Sequence, residues 1–459
     1  MHIDDTIAAI ATPPGVGGIG IVRISGPQSE AIARTIYRSP KGDILLSSHQ
    51  LYHGQIIASQ TGAMIDDVLI TLMRKPHSYT GEDLLEIHSH GNPLILQTIL
   101  YEAIRAGARP ALPGEFTRRA FLNNRIDLTQ AEALMGLMTA RTPRGLEIAH
   151  NQMQGALYRQ IETFRQDLIE ILAMLETAID FSEDQEDNHY PADARQKILA
   201  VSDQIRELLS TYQEGKMIRH GIHALIIGRP NVGKSSLLNR LIGEHRAIVT
   251  EIPGTTRDFI EESVDIHGIA VKLTDTAGLR KPGDIIEKEG IDRVWEKLPA
   301  ADLVIPVLDG SMPLTGEDFN VLEKISHPSV IPVINKADLD HRFSDETLQA
   351  WLPDAKPVRL SAKTGVGVKT LEEAIYHQLV GTKPHQSGCI IINQIRHKAA
   401  LEKTLECLQQ ALENLGNAMS PEFITLDLRE ALDGLGEIVG VTTTEDILDR
   451  IFSTFCIGK

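Results

Sequence analysis

Cysteine is nearly missing from this sequence. Only Cys389, Cys407 and Cys456 occur among 459 residues. An odd count without metal-ligand spacing argues against a disulfide framework or a thiolate metal cluster. It fits a reduced, cytoplasmic compartment. Long apolar runs are missing too. None approaches the roughly eighteen residues of a membrane span, so no membrane association is expected. The opening MHIDDTIAAI has acids where a signal peptide carries a basic n-region, so no signal peptide is expected. No repeat, low-complexity segment or strongly biased stretch marks disorder. Positive charge is in deficit: Lys and Arg number 45 against 62 Asp and Glu, a net charge of -17. A chain that grips nucleic acid by its own surface shows a basic face. Any RNA contact here is therefore expected to be confined, or shared with a partner.

What remains is a chain that is 42% apolar and long enough for two to four domains. To about residue 120, β-rich runs such as GIGIVRISG and DDVLITLMR alternate with turns and with the helical PLILQTILYEAIRAG, which reads as α+β. From about residue 127 apolar residues recur at three- and four-residue spacing. Leu168, Ile171, Leu172, Leu175 and Ile179 share one helical face. Around residue 220 short apolar strands return: HALIIG, AVKLTD, LVIPVLD, SVIPVIN and KPVRLS. Helix-length segments between them predict a mostly parallel, doubly wound sheet. The last eighty residues are helical again. A final helix is expected from near Thr443, with Asp446 as capping partner. The economical division is an N-terminal α+β domain (1–122), a helical domain in two parts (123–216 and 380–459), and an α/β domain inserted at 217–379. Two separate bundles are less economical, because the C-terminal block alone has a thin core.

GRPNVGKSS, residues 228 to 236, fits G-x-x-x-x-G-K-[ST] between a strand and a helix, the context of a phosphate-binding P-loop. Gly228 and Gly233 turn N–H groups toward phosphate oxygens, Lys234 reaches the β- and γ-phosphates, and the Ser235 hydroxyl holds Mg²⁺. Asn231, Val232 and Ser236 complete the nucleotide-contacting loop. NKAD, residues 335 to 338, selects the base. The Asp338 carboxylate accepts from the N1–H and 2-amino group of guanine, a donor pair that adenine lacks. Asn335 and the stem of Lys336 frame the ring. Ser361, Ala362 and Lys363 form the SAK loop, whose Ala362 N–H faces the guanine carbonyl. The nucleotide is therefore read as GTP.

VTEIPGTTRD (249–258) and DTAGLR (275–280) supply the loops that sense the γ-phosphate. Thr256 is the second Mg²⁺ ligand, Asp275 reaches the ion through water, and the Gly278 N–H meets the phosphate beside Thr276 and Ala277. Leu279 stands where Ras-type GTPases carry the water-orienting glutamine. A monovalent cation beside Asn231 can neutralise developing charge instead. Asp284, Glu287 or Glu289 can position the water. Arg257 and Arg280 are candidate arginine fingers, each equally readable as a solvated charge.

GRPNVGKSS, IPGTTRD, DTAGLR and IEKEGI, with ATPPGVGGIGIVRISG, TGEDLLEIHSHGNP, PGEFTRRAFLNNRIDLTQAEA and the terminal FCIGK, closely resemble the MnmE (TrmE) family of tRNA-modification GTPases. The resemblance implies potassium held by Asn231, Thr250, Ile252 and Thr255, with Glu251, Pro253 and Gly254 in the same nucleotide-side loop. It implies Glu287 as the catalytic residue that orients water when two G domains of a homodimer meet. It implies a folate site at Arg23, Glu86, Arg125 and Lys459 for a tetrahydrofolate one-carbon unit (5,10-methylene-tetrahydrofolate, with 5-formyl-tetrahydrofolate as an analogue). Many members of the family carry lysine at the position of Arg125. It further implies a flavoprotein partner, MnmG (GidA), with which an aminomethyl or carboxymethylaminomethyl group is placed on the wobble uridine of certain tRNAs.

Two motifs mislead. GVGGIG (15–20) spells a dinucleotide fingerprint, but Pro13 and Pro14 precede it and a strand follows, so it reads as a turn into a strand. Cys456 imitates a prenylation box that Gly458 and the terminal lysine do not fit; the resemblance puts it near the one-carbon chemistry. The alternative reading is an Era- or Der-like ribosome-assembly GTPase, which needs a basic RNA-binding module that is not evident.

Overall fold

A computed structural model of the chain describes residues 5–42, 45–180, 193–245, 262–275, 298–325, 329–353, 355–381, 388–417 and 419–459. For 178–180, 244–245, 262 and 275 it describes the backbone alone. Two compact units emerge: Met1–Met135 with Met153–Glu170 and Leu428–Lys459, and Gly136–Gln152 with Ile171–Asp427.

In the first unit, β1 (Ile7–Ile10), β2 (Gly17–Ser25), β3 (Tyr37–Arg38), β4 (Leu51–Ile57), β5 (Met64–Met73), β6 (Leu84–Gly91) and β7 (Arg109–Pro110) form one sheet. Its order is β3-β4-β5-β6-β2-β1-β7, antiparallel except for β1 against β7. Period-two alternation gives β2, β4, β5 and β6 a buried face. Val22, Ile24, Ile70, Leu72, Leu85 and Ile87 pack under Ile32 and Ile36 of α1 (Ser29–Ile36) and Leu96 and Ile99 of α2 (Pro93–Arg105). The α2 start is specified locally, because the Asn92 side chain accepts from the Leu94 N–H and Pro93 fills the first turn. On the opposite face, α3 (Glu115–Leu122) sets Phe116 against Ile7, Ala9 and Leu84. GVGGIG does lead into β2 rather than into a helix.

The long helical stretch is broken where the chain carries Pro143 and Gly155. It forms α4 (Leu128–Thr139), α5 (Pro143–Met153) and α6 (Ala156–Asp180), followed by α7 (Ala194–Ser210) and α8 (Tyr212–His220). Leu168, Ile171 and Leu175 are fully buried along α6, as their spacing predicts.

The α/β segment comprises β8 (Ile222–Ile227), α9 (Lys234–His245), β9 (Glu262–Ile266), β10 (Ile269–Asp275), β11 (Leu303–Asp309), α10 (Gly316–Lys324), β12 (Val333–Asn335), α11 (Asp345–Gln349), β13 (Val358–Arg359) and α12 (Val368–Val380). The sheet order is β13-β12-β11-β8-β10-β9. Among the described strands only β9 is antiparallel, paired with β10 across a turn at His267-Gly268. That strand went unread in the sequence. SVIPVIN is shorter than its apolar run suggests, because Pro332 has no N–H for the ladder; its carbonyl instead accepts from Val358 N at 2.8 Å.

Three helices close the chain: α13 (Ile395–Gly416), α14 (Pro421–Val439) and α15 (Glu445–Phe452). α13 packs along α7, with Leu401, Leu408 and Ala411 buried on one helix and Ile198, Val201 and Ile205 on the other. Helices from before and after the α/β segment thus share a core, and the fold is α+β, all-α and an inserted α/β P-loop domain. The expected cap of the last helix is corrected. Thr444, not Thr443, precedes it, and no side chain caps it. A reciprocal box from Thr444 needs an acid or amide at position 447, where Ile447 stands. The first turns are held instead by Arg118, which bonds Glu445 and, at 2.6 Å, Asp449. Among the described residues no helix is long and apolar enough to cross a membrane.

Candidate functional site

Strand β8 ends in the P-loop and α9 begins at Lys234. The loop therefore lies outside the carboxyl end of a parallel sheet, at a helix N-terminus that favours anions. Gly233 holds φ at 100°. A Cβ there would stand 2.2 Å from Asn335 Nδ2, so only glycine lets the loop approach β12 this closely. Lys234 is buried, and its Nζ donates to the carbonyls of Gly228 (2.8 Å) and Arg229 (2.9 Å). Asn231 adopts φ 64°, a left-handed conformation that asparagine tolerates better than most residues. It is exposed, as are Ser235 and Ser236, whereas Val232 is buried.

The NKAD residues follow β12 directly. Asn335 is buried. Its amide donates to the Val232 carbonyl at 2.8 Å, and its oxygen accepts from Ala362 N at 2.9 Å. Asn335 thus braces the phosphate loop against the SAK loop. Lys336 takes φ 66° and donates to Asp309 Oδ2 at 2.5 Å. Burial raises the Asp309 carboxyl, but bonds from Lys336 and Ser311 bring it below its ordinary value. Asp338 is exposed. The Ser361 hydroxyl keeps its carboxyl low and ionised, as the reading of guanine's two donors requires. Ser361 itself is fully buried. Asp309 was not singled out in the sequence; its only signal is its place at the end of LVIPVLD.

Of the remaining nucleotide-side residues, Asp275 ends β10, paired in register with Ile226. Thr250, Glu251, Ile252, Pro253, Gly254, Thr255, Thr256, Thr276, Ala277, Gly278 and Glu287 lie outside the described residues, as do Arg257, Leu279, Arg280, Asp284 and Glu289.

A second constellation forms in the first unit. Arg23 and Glu86 are direct cross-strand partners on β2 and β6. The guanidinium donates to Glu86 Oε1 through Nε (2.9 Å) and Nη2 (2.7 Å), and to the Gly458 carbonyl at 3.3 Å. It lies 5.8 Å from the ring centres of both Tyr79 and Phe116. The chain end is seated here. Phe116 N donates to the Lys459 carbonyl at 3.2 Å, and Lys459 N to the Cys456 carbonyl at 3.3 Å. Gly458 holds φ at 94°, and a Cβ on it would stand 2.3 Å from the Ile10 carbonyl oxygen. Arg125 reaches the group indirectly. Its Nε donates to the carbonyl of Ser78, the residue before Tyr79, at 3.1 Å. Cys456 is exposed. The structure thus gathers Arg23, Glu86 and the backbone of Lys459, and ties Arg125 to the Tyr79 loop.

Two family models match the chain. The MnmE helical domain covers residues 128–456 and the GTP-binding protein TrmE N-terminus covers 6–125. The chain belongs to the MnmE family. It is 52% identical over 457 residues to the tRNA modification GTPase MnmE of Syntrophus aciditrophicus, covering 100% of both chains. Identity to the protein of that name from Natranaerobius thermophilus is 43%, covering 99% of this chain and all of the relative. Among solved structures, the G domain of the T. maritima FeoB iron transporter is 31% identical over 35% of this chain and 99% of its own, with a TM-score of 0.28. An MnmE-family chain is expected to carry a G domain between helical segments, and β8 to α12 occupy that place.

Proposed function

We propose that this chain is a potassium-stimulated GTP hydrolase acting in tRNA modification. The observation that carries the reading is the three-way brace in which Asn335 joins the phosphate loop to the SAK loop beside an ionised Asp338. That is a site built for a guanine nucleotide, in a chain whose full length resembles MnmE. The likeness extends through both flanking domains, which favours tRNA modification over ribosome assembly.

Lys234 and the first turn of α9 bind the phosphates. The exposed Ser235 and Asn231 fit ligands for Mg²⁺ and K⁺, with Thr256 completing the first site and Thr250, Ile252 and Thr255 the second. Bound there, the two cations supply positive charge for the transferred phosphoryl group. Glu287 holds the attacking water in place of the glutamine that Leu279 displaces. G domains of a homodimer complete each other's site. GTP turnover in potassium buffer is expected to exceed that in sodium buffer by about 10²; equal steady-state rates would contradict the cation's role.

The Arg23–Glu86 pair suits a tetrahydrofolate one-carbon donor. The guanidinium fits the ligand's carboxylates, the carboxylate fits the amino-pyrimidine edge, and Tyr79 and Phe116 offer ring faces. Arg125 and Lys459 add positive charge at its margin. A flavoprotein partner, MnmG, supplies the redox chemistry and much of the tRNA grip, which accords with the net charge of -17. The product is an aminomethyl or carboxymethylaminomethyl group on the wobble uridine, and the setting is the cytoplasm. Gly458→Ala drives a Cβ into the Ile10 carbonyl and unseats the chain end. A fall of about tenfold in 5-formyl-tetrahydrofolate affinity, the worth of about one charged hydrogen bond, is the expected titration result.

A further inference from the structure

Arg240 lies on α9, the helix that begins at the phosphate-binding Lys234. Its guanidinium spans to the base-recognition loop. Nε donates to the Ala362 carbonyl at 3.2 Å and Nη2 to the Lys363 carbonyl at 2.5 Å. The peptide unit before Ala362 is already fixed from the other side, where its N–H meets Asn335 Oδ1 at 2.9 Å. The loop closes on itself as well, with Ser361 N bonding the Val366 carbonyl (2.9 Å) and Gly365 N the Ser361 carbonyl (2.8 Å). The NKAD loop is tied to it in turn: Ala337 N, just before Asp338, donates to the carbonyl of Leu360, just before Ser361, at 3.0 Å.

We infer that Arg240 is a positioning residue for guanine selection: by clamping two successive carbonyls of the SAK loop to the phosphate-binding helix, it fixes the segment to which the backbone beside Asp338 is bonded, and so the place of the Asp338 carboxylate. This rests on the guanine-nucleotide reading above and adds a residue that none of the nucleotide motifs contains. The planar fork of arginine matters, because it spans both carbonyls at once, where a lysine ammonium satisfies one. Without the clamp Asp338 must be oriented at the moment of binding, and that cost falls on the base contact. The phosphate contacts, made by the P-loop itself, do not depend on it.

The test is equilibrium binding of GDP, inosine diphosphate and ADP to the full-length protein and to its Arg240→Met and Arg240→Lys variants. Methionine keeps the aliphatic stem on α9, and thermal melts compare the folds. Inosine diphosphate lacks the 2-amino group and so uses only half of the Asp338 carboxylate. In Arg240→Met the affinity for GDP is expected to fall about tenfold. The preference for GDP over inosine diphosphate narrows, ADP binding is unchanged, and Arg240→Lys recovers part of the preference. An unaltered GDP-to-inosine-diphosphate ratio in Arg240→Met overturns the inference. So does an equal weakening of all three nucleotides, which marks damage to the helix. If the unsubstituted protein itself shows no preference for GDP over ADP, the guanine-nucleotide reading fails, and this inference fails with it.

Discussion

Replacing Asp338 by asparagine is expected to turn the nucleotide preference from GTP to xanthosine triphosphate. Guanine presents two donors, N1–H and the 2-amino group, and a carboxylate accepts both. Asparagine keeps one acceptor and sets an NH₂ against the 2-amino group, so donor faces donor. Xanthine carries a carbonyl at C2, which that NH₂ can bond. Two hydrogen bonds to a charged group are worth about 1.5–3 kcal/mol each. The loss for GTP is then on the order of 10²–10⁴ in affinity. The backbone beside Asp338 is fixed where Ala337 N donates to the Leu360 carbonyl at 3.0 Å, so the asparagine stands where the carboxylate stood. Competition binding of GTP against xanthosine triphosphate checks the exchange. Retained GTP preference in the variant would mean that Asp338 does not read the base.

The second large effect belongs to stability. Glu115 is about 1% exposed. It accepts from Arg109 at 2.9 and 2.5 Å, from the Leu112 N–H at 2.8 Å and from Arg119 at 3.1 Å. Arg119 is also buried and bonds Asp5 and Glu82. Glu115→Ala removes the acceptor that both guanidinium groups share. Asp5 and Glu82 still neutralise the two guanidinium groups, so the cost is that of the hydrogen bonds left unmade in a buried site, about 2–3 kcal/mol. Denaturant unfolding of the full chain, followed by a probe in the N-terminal sheet, should show its transition shifted by that amount. A shift below about 1 kcal/mol would contradict the role assigned to the network. The pH dependence has a definite sign. Burial raises the Glu115 carboxyl, but Arg109, the Leu112 N–H and Arg119 hold it below its ordinary value of 4.5. Its stabilisation is therefore complete above that value and is lost as pH falls through the lowered folded-state value.

What could be read beforehand follows from where the information lies. Lys234 and Asp338 are legible because their roles need only fixed local spacing after a strand. The bond from Asn335 to the Val232 carbonyl carries no local mark, because it joins the end of β12 to a loop 103 residues away. Arg240 and Asp309 carry no local mark, since each gains meaning only from the loop it touches. Arg23 and Glu86 stand 63 residues apart, and only the register of β2 against β6 makes them a pair. The network of Asp5, Glu82, Arg109, Glu115 and Arg119 is dispersed in the same way. β9 escaped notice because three of its five residues, Glu262, Ser263 and Asp265, are polar, and pairing with β10 rather than its own pattern makes it a strand. α14 was legible in principle: Ile424, Leu428, Ala431, Leu435 and Ile438 recur at helical spacing and are all fully buried.

The central claim is that hydrolysis proceeds here without the glutamine that Leu279 replaces, through Glu287 and a bound alkali cation. The most direct measurement is the steady-state rate of GTP hydrolysis, in potassium and magnesium, by the full-length protein and by Glu287→Ala. A fall of about 10²–10³ in kcat with little change in KM is expected, as for loss of a group that acts on the water rather than on the nucleotide. Undiminished turnover in Glu287→Ala would contradict the account.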